Sequence, residues 1–312
     1  MQIWTTPDLK KLNKERIRKV FQDKQSYTKA QIAQLTKLSV ATCNTVVNEM
    51  LKDREVQKAE QEEAAMGRPA ERYCYNRDFL HVMGIYVNAE DDVNTISLTV
   101  ADAFGDWLLH EQRTSAAITY ETIEEIIAEQ VGKDSLIKRV SIGIPGITRQ
   151  GVVESCDIRE LVGAELDQSL QNRFSVEVET RNDMDFMVYG QYYTRYGGEN
   201  NLAAVYFPHN SLGTFGCGFI INGRVLRGNT KFSGELAYIF EAFGLTREQQ
   251  IGKLLKQEEI LDYIAKIVLM IISSIDPEEV VLMGLDLGEQ EIEKIKLFCR
   301  GIVSEMPTIA PA

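Results

Sequence analysis

The sequence has no apolar run long enough to cross a membrane. Hydrophobic residues make up 44% of its 312 residues and charged residues 26%, which is the balance of a soluble globular protein. A transmembrane helix needs roughly 18 consecutive apolar residues, and a signal peptide needs an apolar core behind a charged start. The sequence contains neither pattern, and the chain begins with a mixture of charged and polar residues. We therefore predict a cytoplasmic protein that makes no contact with a membrane.

Cysteine and histidine are also scarce, and neither forms a metal or disulfide pattern. The five cysteines stand apart, in no C-x-x-C pair, at Cys43, Cys74, Cys156, Cys217 and Cys299. The three histidines have no second ligand at a metal-binding spacing. Disulfide frameworks and zinc sites depend on such pairs. We expect buried thiols in a reducing compartment, and neither a metal nor another cofactor.

Charge is unevenly distributed along the chain. The net charge is −12, yet residues 1–80 carry 15 basic and 11 acidic side chains, so the excess of acid lies in the remainder. A slightly basic head suits contact with phosphate, while an acidic body is repelled by it. The length also exceeds that of one ordinary core. We predict two domains, a DNA-binding head at residues 1–78 and a body at residues 79–312.

The head begins with three helical patterns. An apolar stripe runs through residues 8–22, and Thr28 and Ser39 have the position and chemistry of N-caps for helices over residues 29–36 and 40–53. The side chains predicted to be buried in the two capped helices are Ala30, Ile32, Ala33, Leu35, Val40, Cys43, Val46, Val47, Met50 and Leu51. Two short helices joined by a tight turn form the helix-turn-helix pattern.

The outward face of the second capped helix carries the residue types that read DNA. The candidate DNA-binding residues there are Ser39, Thr42, Asn44, Thr45 and Asn48. Hydroxyl and amide groups can address phosphates and base edges. The alternative is an ordinary solvated face, which threonine and asparagine serve poorly because they are weak helix formers. We favour binding to a double-stranded DNA operator.

A β-hairpin is predicted after this helix, with strands near residues 54–60 and 71–76. Gly67 and Pro69 hold its tip extended around Arg68, whose guanidinium can enter a narrow minor groove. Acidic residues on the first strand oppose contact with phosphate, and an ordinary hairpin tip is the alternative. The helices and this hairpin together predict a winged helix-turn-helix.

From His81 onward the pattern changes to that of an α/β domain. Three consecutive strands are predicted over residues 81–90, 94–103 and 106–115, followed by alternating helices and strands. This order is typical of the ribonuclease-H-like, two-lobed architecture of actin and the sugar kinases. The last seven residues lack an apolar strand or helix that would close the second lobe. We therefore expect either a short chain or a native protein that continues past Ala312.

Short motifs in order along the chain give these patterns a family resemblance. They are the helix-turn-helix, Gly67-Arg68-Pro69, Ser141 to Gly146, Asn182-Asp183, the glycines Gly213, Gly216 and Gly218 with Ile221-Asn222-Gly223, Ser233-Gly234-Glu235, and Asp276-Pro277-Glu278 with Val280 to Gly284. With them the chain resembles the ROK family of sugar repressors, open reading frames and sugar kinases. The resemblance implies a regulator of the N-acetylglucosamine or xylose repressor type, which acts as a homodimer or dimer of dimers and responds to a sugar or sugar phosphate.

The same resemblance argues against catalysis. Kinases of the family carry an Asp-x-Gly-Gly-Thr phosphate loop, whereas this chain has Tyr86, Asn88, Ala89 and Glu90 at the matching positions. Side chains in place of glycines, with an added carboxylate, would repel a nucleotide. We therefore predict a repressor of carbohydrate-utilisation genes that is not an enzyme. Two alternatives stay open: a sugar kinase with an accessory DNA-binding head, and a DNA-bound regulator that binds no small molecule.

The sugar-binding motifs are better preserved than the phosphate loop. The resemblance assigns sugar contacts to Gly146, Asn182, Asp183 and Glu235, with Asp183 at the position of the family's general base. Asn182 and Asp183 would also serve as a helix cap, and Glu235 could be a surface residue. The family's zinc-binding histidine is replaced by Tyr238 and its cysteine cluster is absent, so no zinc is expected. Solvated side chains are expected at Arg181, Asp185 and Arg227.

Overall fold

The computed structural model describes residues 6–59, 70–90, 93–196, 200–208, 215–256 and 259–312. They belong to two compact units. The first consists of residues 1–83 with 99–110 and 130–139, and the second of residues 84–98, 111–129 and 140–312. Within the described ranges, no helix is both long enough and apolar enough to span a membrane.

The first unit begins with three helices and a small sheet. The elements are α1 (Thr6–Val20), β1 (Tyr27–Thr28), α2 (Lys29–Thr36), α3 (Val40–Lys52), β2 (Val56–Lys58) and β3 (Arg72–Tyr75). The strands pair in the order β1–β3–β2, with β3 antiparallel to both neighbours. The core contains Ile17, Phe21, Ile32, Val47 and Met50, all almost fully buried. An apolar face of each helix therefore packs into one common core.

Both predicted N-caps are confirmed. Thr28 Oγ1 accepts a hydrogen bond from the Gln31 backbone, and the Gln31 side chain accepts one from the Thr28 backbone, so a capping box begins α2. Ser39 Oγ accepts a hydrogen bond of 3.1 Å from the Thr42 backbone and begins α3. These local bonds satisfy backbone N–H groups that a helix start leaves without intrahelical partners.

Three burial predictions for the capped helices are wrong. Leu35 and Val40 are each 58% exposed, and Ala30 is exposed as well. In α2 the inward position is taken by Thr36, whose Oγ1 donates a hydrogen bond of 2.7 Å to the Ile32 carbonyl. This bond satisfies the hydroxyl within its own helix, so a polar side chain can be buried there. Val40 is the first residue of α3, directly after its cap.

A five-stranded sheet has the strand order β10–β7–β4–β5–β6. The elements of this region are β4 (His81–Glu90), β5 (Val93–Ala101), β6 (Trp107–Ser115), α4 (Tyr120–Lys133), β7 (Ile137–Ile144), β8 (Gly146–Arg149), β9 (Val152–Cys156), α5 (Leu166–Phe174) and β10 (Glu177–Asn182). The three consecutive strands predicted from His81 onward are confirmed. Strands β8 and β9 form a separate antiparallel pair beside the sheet's β10 end.

A second five-stranded sheet lies in the second unit, with the strand order β13–β12–β11–β14–β15. The elements of this region are α6 (Asp183–Arg195), β11 (Leu202–Tyr206), β12 (Gly216–Ile221), β13 (Arg224–Val225), α7 (Ala237–Ala242), α8 (Arg247–Leu255), α9 (Ile260–Ile275), β14 (Glu279–Met283), α10 (Glu289–Arg300) and β15 (Thr308–Pro311). The apolar face of α9 packs against this sheet with Ile264, Ile267, Val268 and Ile271.

The expectation that no strand or helix closes this second region is wrong. Strand β15 runs parallel to β14, with Ile309 opposite Val280, and α10 buries Ile292 and Ile295 in the same core. Pro311 is tolerated in β15 because the strand lies at the edge of the sheet, where a missing backbone N–H breaks no ladder. The sequence pattern did not predict this strand, because Pro307 and Pro311 stand on either side of a short apolar stretch.

A turn between β5 and β6 belongs to the same compact unit as the head. We call residues 102–106 the acidic turn. The Asp102 carboxylate is fully buried and lies 2.8 Å from Arg77 Nε, while Asp106 lies 2.7 Å from Lys24 Nζ and also contacts Arg77. The Phe104 ring meets Tyr75 edge to face, with centroids 5.8 Å apart. Ion pairs and an aromatic contact thus join this turn to Lys24, Tyr75 and Arg77, which all precede it in the sequence.

Arg77→Ala is expected to lower the free energy of unfolding by about 1–3 kcal/mol, because Asp102 stays buried without its charged partner. Chemical denaturation of the full chain measures the change. The control is Arg300→Ala, which removes an ion pair whose two side chains are both more than half exposed and should cost at most about 1 kcal/mol. Equal losses in the two variants would contradict a stabilising role for the acidic turn beyond that of a surface ion pair.

Candidate functional site

A cleft of about 880 Å³ opens in the second unit. Its walls come from β4, from the β8–β9 pair, from the start of α6 and from the segment between Lys231 and Arg247. All four residues to which sequence resemblance assigned sugar contacts line it: Gly146, Asn182, Asp183 and Glu235. The fold therefore brings together side chains that are up to 89 positions apart in the sequence, and their contact with a sugar stays a prediction.

Asn182 organises the floor of the cleft. Its Oδ1 accepts a hydrogen bond of 2.9 Å from the Met184 backbone, so it caps α6, as the alternative interpretation predicted. Its Nδ2 donates a bond of 3.0 Å to the Gly146 carbonyl. One side chain thus fixes the start of α6 against the β7–β8 corner, and Gly146 and Asp183 both line the cleft there.

Asp183 lies in an environment that favours its neutral form. Burial raises the pKa of Asp183 to about 7, and the nearby carboxylates of Asp157 and Glu235 raise it as well, against the hydrogen bond from the Met184 N–H. Burial also raises the pKa of Glu235, which Arg247 partly offsets. A carboxyl group that titrates near neutrality can either accept or donate a hydrogen bond, which suits recognition of a hydroxyl. The sequence did not predict Asp157 as a residue of this site, because it belongs to no motif.

The Asp183→Asn variant is expected to gain stability over the original chain as pH rises. The Asp183 carboxyl ionises near pH 4 in the unfolded chain and near pH 7 in the folded chain. Its contribution to the free energy of unfolding therefore falls as the pH rises from about 4 to about 7, and it stays constant above pH 7. The difference in melting temperature should therefore be larger at pH 8 than at pH 4.5. The exposed Asp286, changed to asparagine, is the control. A difference independent of pH would contradict the raised pKa.

Two glycines of the predicted motifs are required by close backbone contacts at the cleft. A Cβ on Gly146 would lie 2.2 Å from the Ser155 carbonyl oxygen. Gly234 has a φ of +98°, and a Cβ there would lie 2.1 Å from the Cys217 carbonyl oxygen. These contacts hold the Ser-Gly-Glu motif against β12 and so set the position of Glu235. Gly213 lies outside the described residues.

The residues that replace the phosphate loop also line the cleft. Tyr86, Asn88 and Ala89 are partly buried in its wall, and nothing is described of the Glu90 side chain. Among the described lining residues the anionic side chains are Asp157, Asp183, Asp185, Glu235 and Glu241, and the cationic ones are Arg159, Lys231 and Arg247. This excess of carboxylates opposes binding of a triphosphate.

A smaller side pocket of about 250 Å³ adjoins the cleft and shares Asn182, Asp185 and Lys231 with it. Arg227 Nε lies 3.2 Å from the Asp185 carboxylate, and both side chains are largely buried. Burial raises the pKa of Asp185 to about 6. The expectation that Asp185 and Arg227 are solvated is therefore wrong, because a loop after β13 brings the guanidinium back onto the start of α6.

The candidate DNA-binding residues lie in the first unit, on α3. Thr45 and Asn48 are exposed, and Thr42 and Asn44 are partly exposed. Ser39 Oγ accepts a hydrogen bond from the Thr42 backbone N–H, and a second hydrogen bond joins it to the Thr42 hydroxyl. Asn48 Oδ1 accepts a hydrogen bond of 2.6 Å from Lys29 Nζ, which brings a cation to this face. Arg68, with Gly67 and Pro69, lies outside the described residues.

Comparison with known proteins relates the middle of the chain to a family. A model described as "ROK family" matches residues 92–244, which include β7, the Asn182-Asp183 pair and the Ser-Gly-Glu motif. The matched range contains the sugar-binding candidates of the cleft, whereas the α3 candidates lie before it.

Curated relatives of this chain include two named "Xylose repressor". The protein from Bacillus spizizenii is 26% identical over 243 residues, which cover 74% of this chain and 61% of the relative. The protein from Bacillus subtilis is 25% identical over 244 residues, with the same two coverages. The chain thus spans about three fifths of the length of the curated relatives it matches.

Solved structures show that the fold is the mixed α/β fold of ROK proteins. A ROK family transcriptional regulator, described as a homologue of the E. coli MLC protein, superposes with a TM-score of 0.70 and 14% identity, covering 97% of this chain and 92% of that one. A ROK hexokinase from Thermus thermophilus gives a TM-score of 0.55 and 16% identity, covering 74% of this chain and 92% of the enzyme. Sugar kinases and a regulator therefore share this architecture.

Proposed function

We propose that this chain is a DNA-binding transcriptional repressor of carbohydrate-utilisation genes, whose kinase-like cleft senses a sugar without phosphorylating it. The observation that carries the proposal is the pairing of features in one chain: a capped helix with an exposed hydroxyl-and-amide face, and a cleft that keeps the sugar-binding motifs but not the phosphate loop. Relatives named xylose repressor support it. So does the regulator that covers 97% of this chain, against 74% for the hexokinase.

In this proposal the head is a winged helix-turn-helix, and α3 is its recognition helix. Asn44 and Asn48 would address base edges in the major groove, while Thr42 and Thr45 would contact phosphates or bases. Lys29, held beside Asn48, supplies a cation at the same surface. Arg68, for which the sequence predicts a hairpin tip, would enter the adjacent minor groove. Ser39 acts indirectly, by fixing the first turn of α3.

The repressor would act as a homodimer or a dimer of dimers. One short recognition helix gives too little affinity by itself, whereas two heads on one assembly bind two half-sites with a high effective concentration. A sugar bound in the cleft would favour one arrangement of the assembly over another. The sugar would then change the spacing of the two heads, and operator affinity with it.

A sugar kinase with an accessory head is the second candidate function, because Asp183 has the near-neutral pKa that a general base requires. Tyr86, Asn88 and Ala89 oppose it, since each puts a side chain where a phosphate loop needs glycine or an acid. We expect no ATP-dependent phosphorylation of hexoses, pentoses or N-acetylhexosamines in a coupled assay. Turnover that is lost in Asp183→Ala would contradict the non-catalytic proposal.

The test of the repressor proposal uses the full chain and a library of random DNA duplexes. Repeated selection should enrich a palindromic sequence, with half-sites separated by about 10 base pairs or a multiple of it. Fluorescence anisotropy on the selected duplex is then repeated with xylose, glucose and N-acetylglucosamine. We expect at least one sugar to change operator affinity about five-fold or more. Failure to enrich any sequence would refute the proposal.

A further inference from the structure

A half-exposed aromatic ring lines the cleft, and a second half-exposed ring packs against it from outside the lining. Tyr238 lines the cleft and is 51% exposed, and Phe232 beside it is 46% exposed. Their ring centroids are 5.1 Å apart and their planes are tilted by 47°. We call this pair the aromatic rim. An amphipathic aromatic ring that is exposed at a cavity wall offers a ligand both an apolar face and a polar tip.

The aromatic rim continues the wall that carries the sugar-binding candidates. The Tyr238 backbone N–H donates a hydrogen bond of 3.4 Å to the Glu235 carbonyl, so Tyr238 follows Glu235 by one helical turn. Glu241 lies one further turn along α7, and Arg247 begins α8; both line the cleft. The wall therefore presents a carboxylate, then an aromatic ring, then a second carboxylate and a guanidinium.

The cleft is larger than a single sugar ring requires. Its volume of about 880 Å³ is near the upper end of the range, about 300–1,000 Å³, of pockets that bury a drug-sized ligand. A monosaccharide is smaller than such a ligand. If one ring occupies the space between Asp183 and Glu235, the part of the cleft along Tyr238 stays open to water.

The chemistry of this remaining part matches a second sugar ring. A pyranose ring has a face of C–H groups and an edge of hydroxyls. The negative face of an aromatic ring attracts the C–H face, while a carboxylate and a guanidinium can bond the hydroxyl edge. The carboxylates that outnumber cations in the cleft disfavour a phosphorylated ligand.

We propose that the aromatic rim forms a second-ring subsite, so that the effector is an uncharged glycoside with two sugar rings. One ring lies between Asp183 and Glu235, and the other stacks on Tyr238 with its hydroxyls at Glu241 and Arg247. This inference rests on the proposed sugar-sensing function and specifies its ligand class. Phe232 acts as a positioning residue, which holds the Tyr238 ring through their contact.

Isothermal titration of the full chain with matched sugars tests the inference. The probes are cellobiose, maltose and xylobiose against glucose and xylose. We expect one disaccharide to bind about ten-fold or more tightly than its own monosaccharide. Tyr238→Ala should remove this difference by weakening the disaccharide alone, and Tyr238→Trp should restore it. Phe243→Ala is the matched control, because Phe243 is 84% exposed on the same segment and does not line the cleft.

The outcomes separate the subsite from the function on which it rests. Equal binding of mono- and disaccharides, unaffected by Tyr238→Ala, would overturn the subsite and leave the sugar sensor standing. Loss of both ligand classes in Tyr238→Ala, with an unchanged melting temperature, would also overturn it, because the ring would then contact the first sugar. Absence of binding by any sugar to the original chain would refute both the sensor and the subsite.

Discussion

Asp183→Ala is expected to reduce sugar affinity at least about 100-fold. At pH 8, above the pKa of about 7 that burial gives Asp183, its carboxylate is ionised and would accept hydrogen bonds from sugar hydroxyls. Each bond to a charged group contributes about 1.5–3 kcal/mol, so losing two exceeds the roughly 2.7 kcal/mol that corresponds to 100-fold. Isothermal titration with the tightest-binding sugar measures the loss. The cap of α6 should survive, because Asn182 Oδ1 also accepts the Met184 N–H.

Asp286→Ala is the matched control, because it removes an exposed aspartate outside the cleft and should leave affinity unchanged. An affinity of Asp183→Ala within three-fold of the original would mean that Asp183 does not contact the ligand. The Asn182-Asp183 pair would then be a helix cap and no more.

The second large effect concerns the face of α3 that we propose binds DNA. The double variant Asn44→Ala, Asn48→Ala should weaken binding to the selected operator by about 2–6 kcal/mol, since each base contact contributes about 1–3 kcal/mol. Binding to unrelated duplexes should change little, and the slope of affinity against salt should stay nearly constant, because phosphate contacts set it. Fluorescence anisotropy at several salt concentrations measures both quantities.

The single variants separate two roles within this face. Asn48 accepts a hydrogen bond from Lys29, so Asn48→Ala also releases a cation near the phosphates. The Asn44 side chain has no such hydrogen bond within the described residues, so Asn44→Ala tests base reading more directly. Gln22→Ala, on an exposed position of the head outside α3, is the control. An equal loss of affinity on operator and unrelated DNA would contradict base-specific contact.

Local signals in the sequence predicted much of the head and the order of elements in the body. Thr28 and Ser39 indicated where their helices begin, because an N-cap hydrogen bond reaches only three residues along the chain. The same reasoning failed for Leu35, because helical spacing alone does not say which neighbouring face is covered. It failed again for β15, where prolines masked an edge strand that pairing with β14 stabilises.

The candidate site shows the same division between local and distant contacts. Asn182, Asp183 and Glu235 were found because they stand in short motifs. Asp185 and Arg227 were not, because their ion pair joins positions 42 apart through a loop that only the folded chain brings back. Distant ion pairs leave no periodic trace in a sequence, so only the tertiary structure reveals them.

The acidic turn has a consequence for recombination between chains of this fold. A single crossover at residue 78 would transfer the head with Lys24, Tyr75 and Arg77 but leave Asp102 and Phe104 in the acceptor chain. The transferable unit is therefore discontinuous in sequence. A chimera keeps a stable head only when its acceptor supplies an equivalent carboxylate and aromatic ring between β5 and β6. Exchange of heads among such chains is thereby restricted to compatible pairs of head and body.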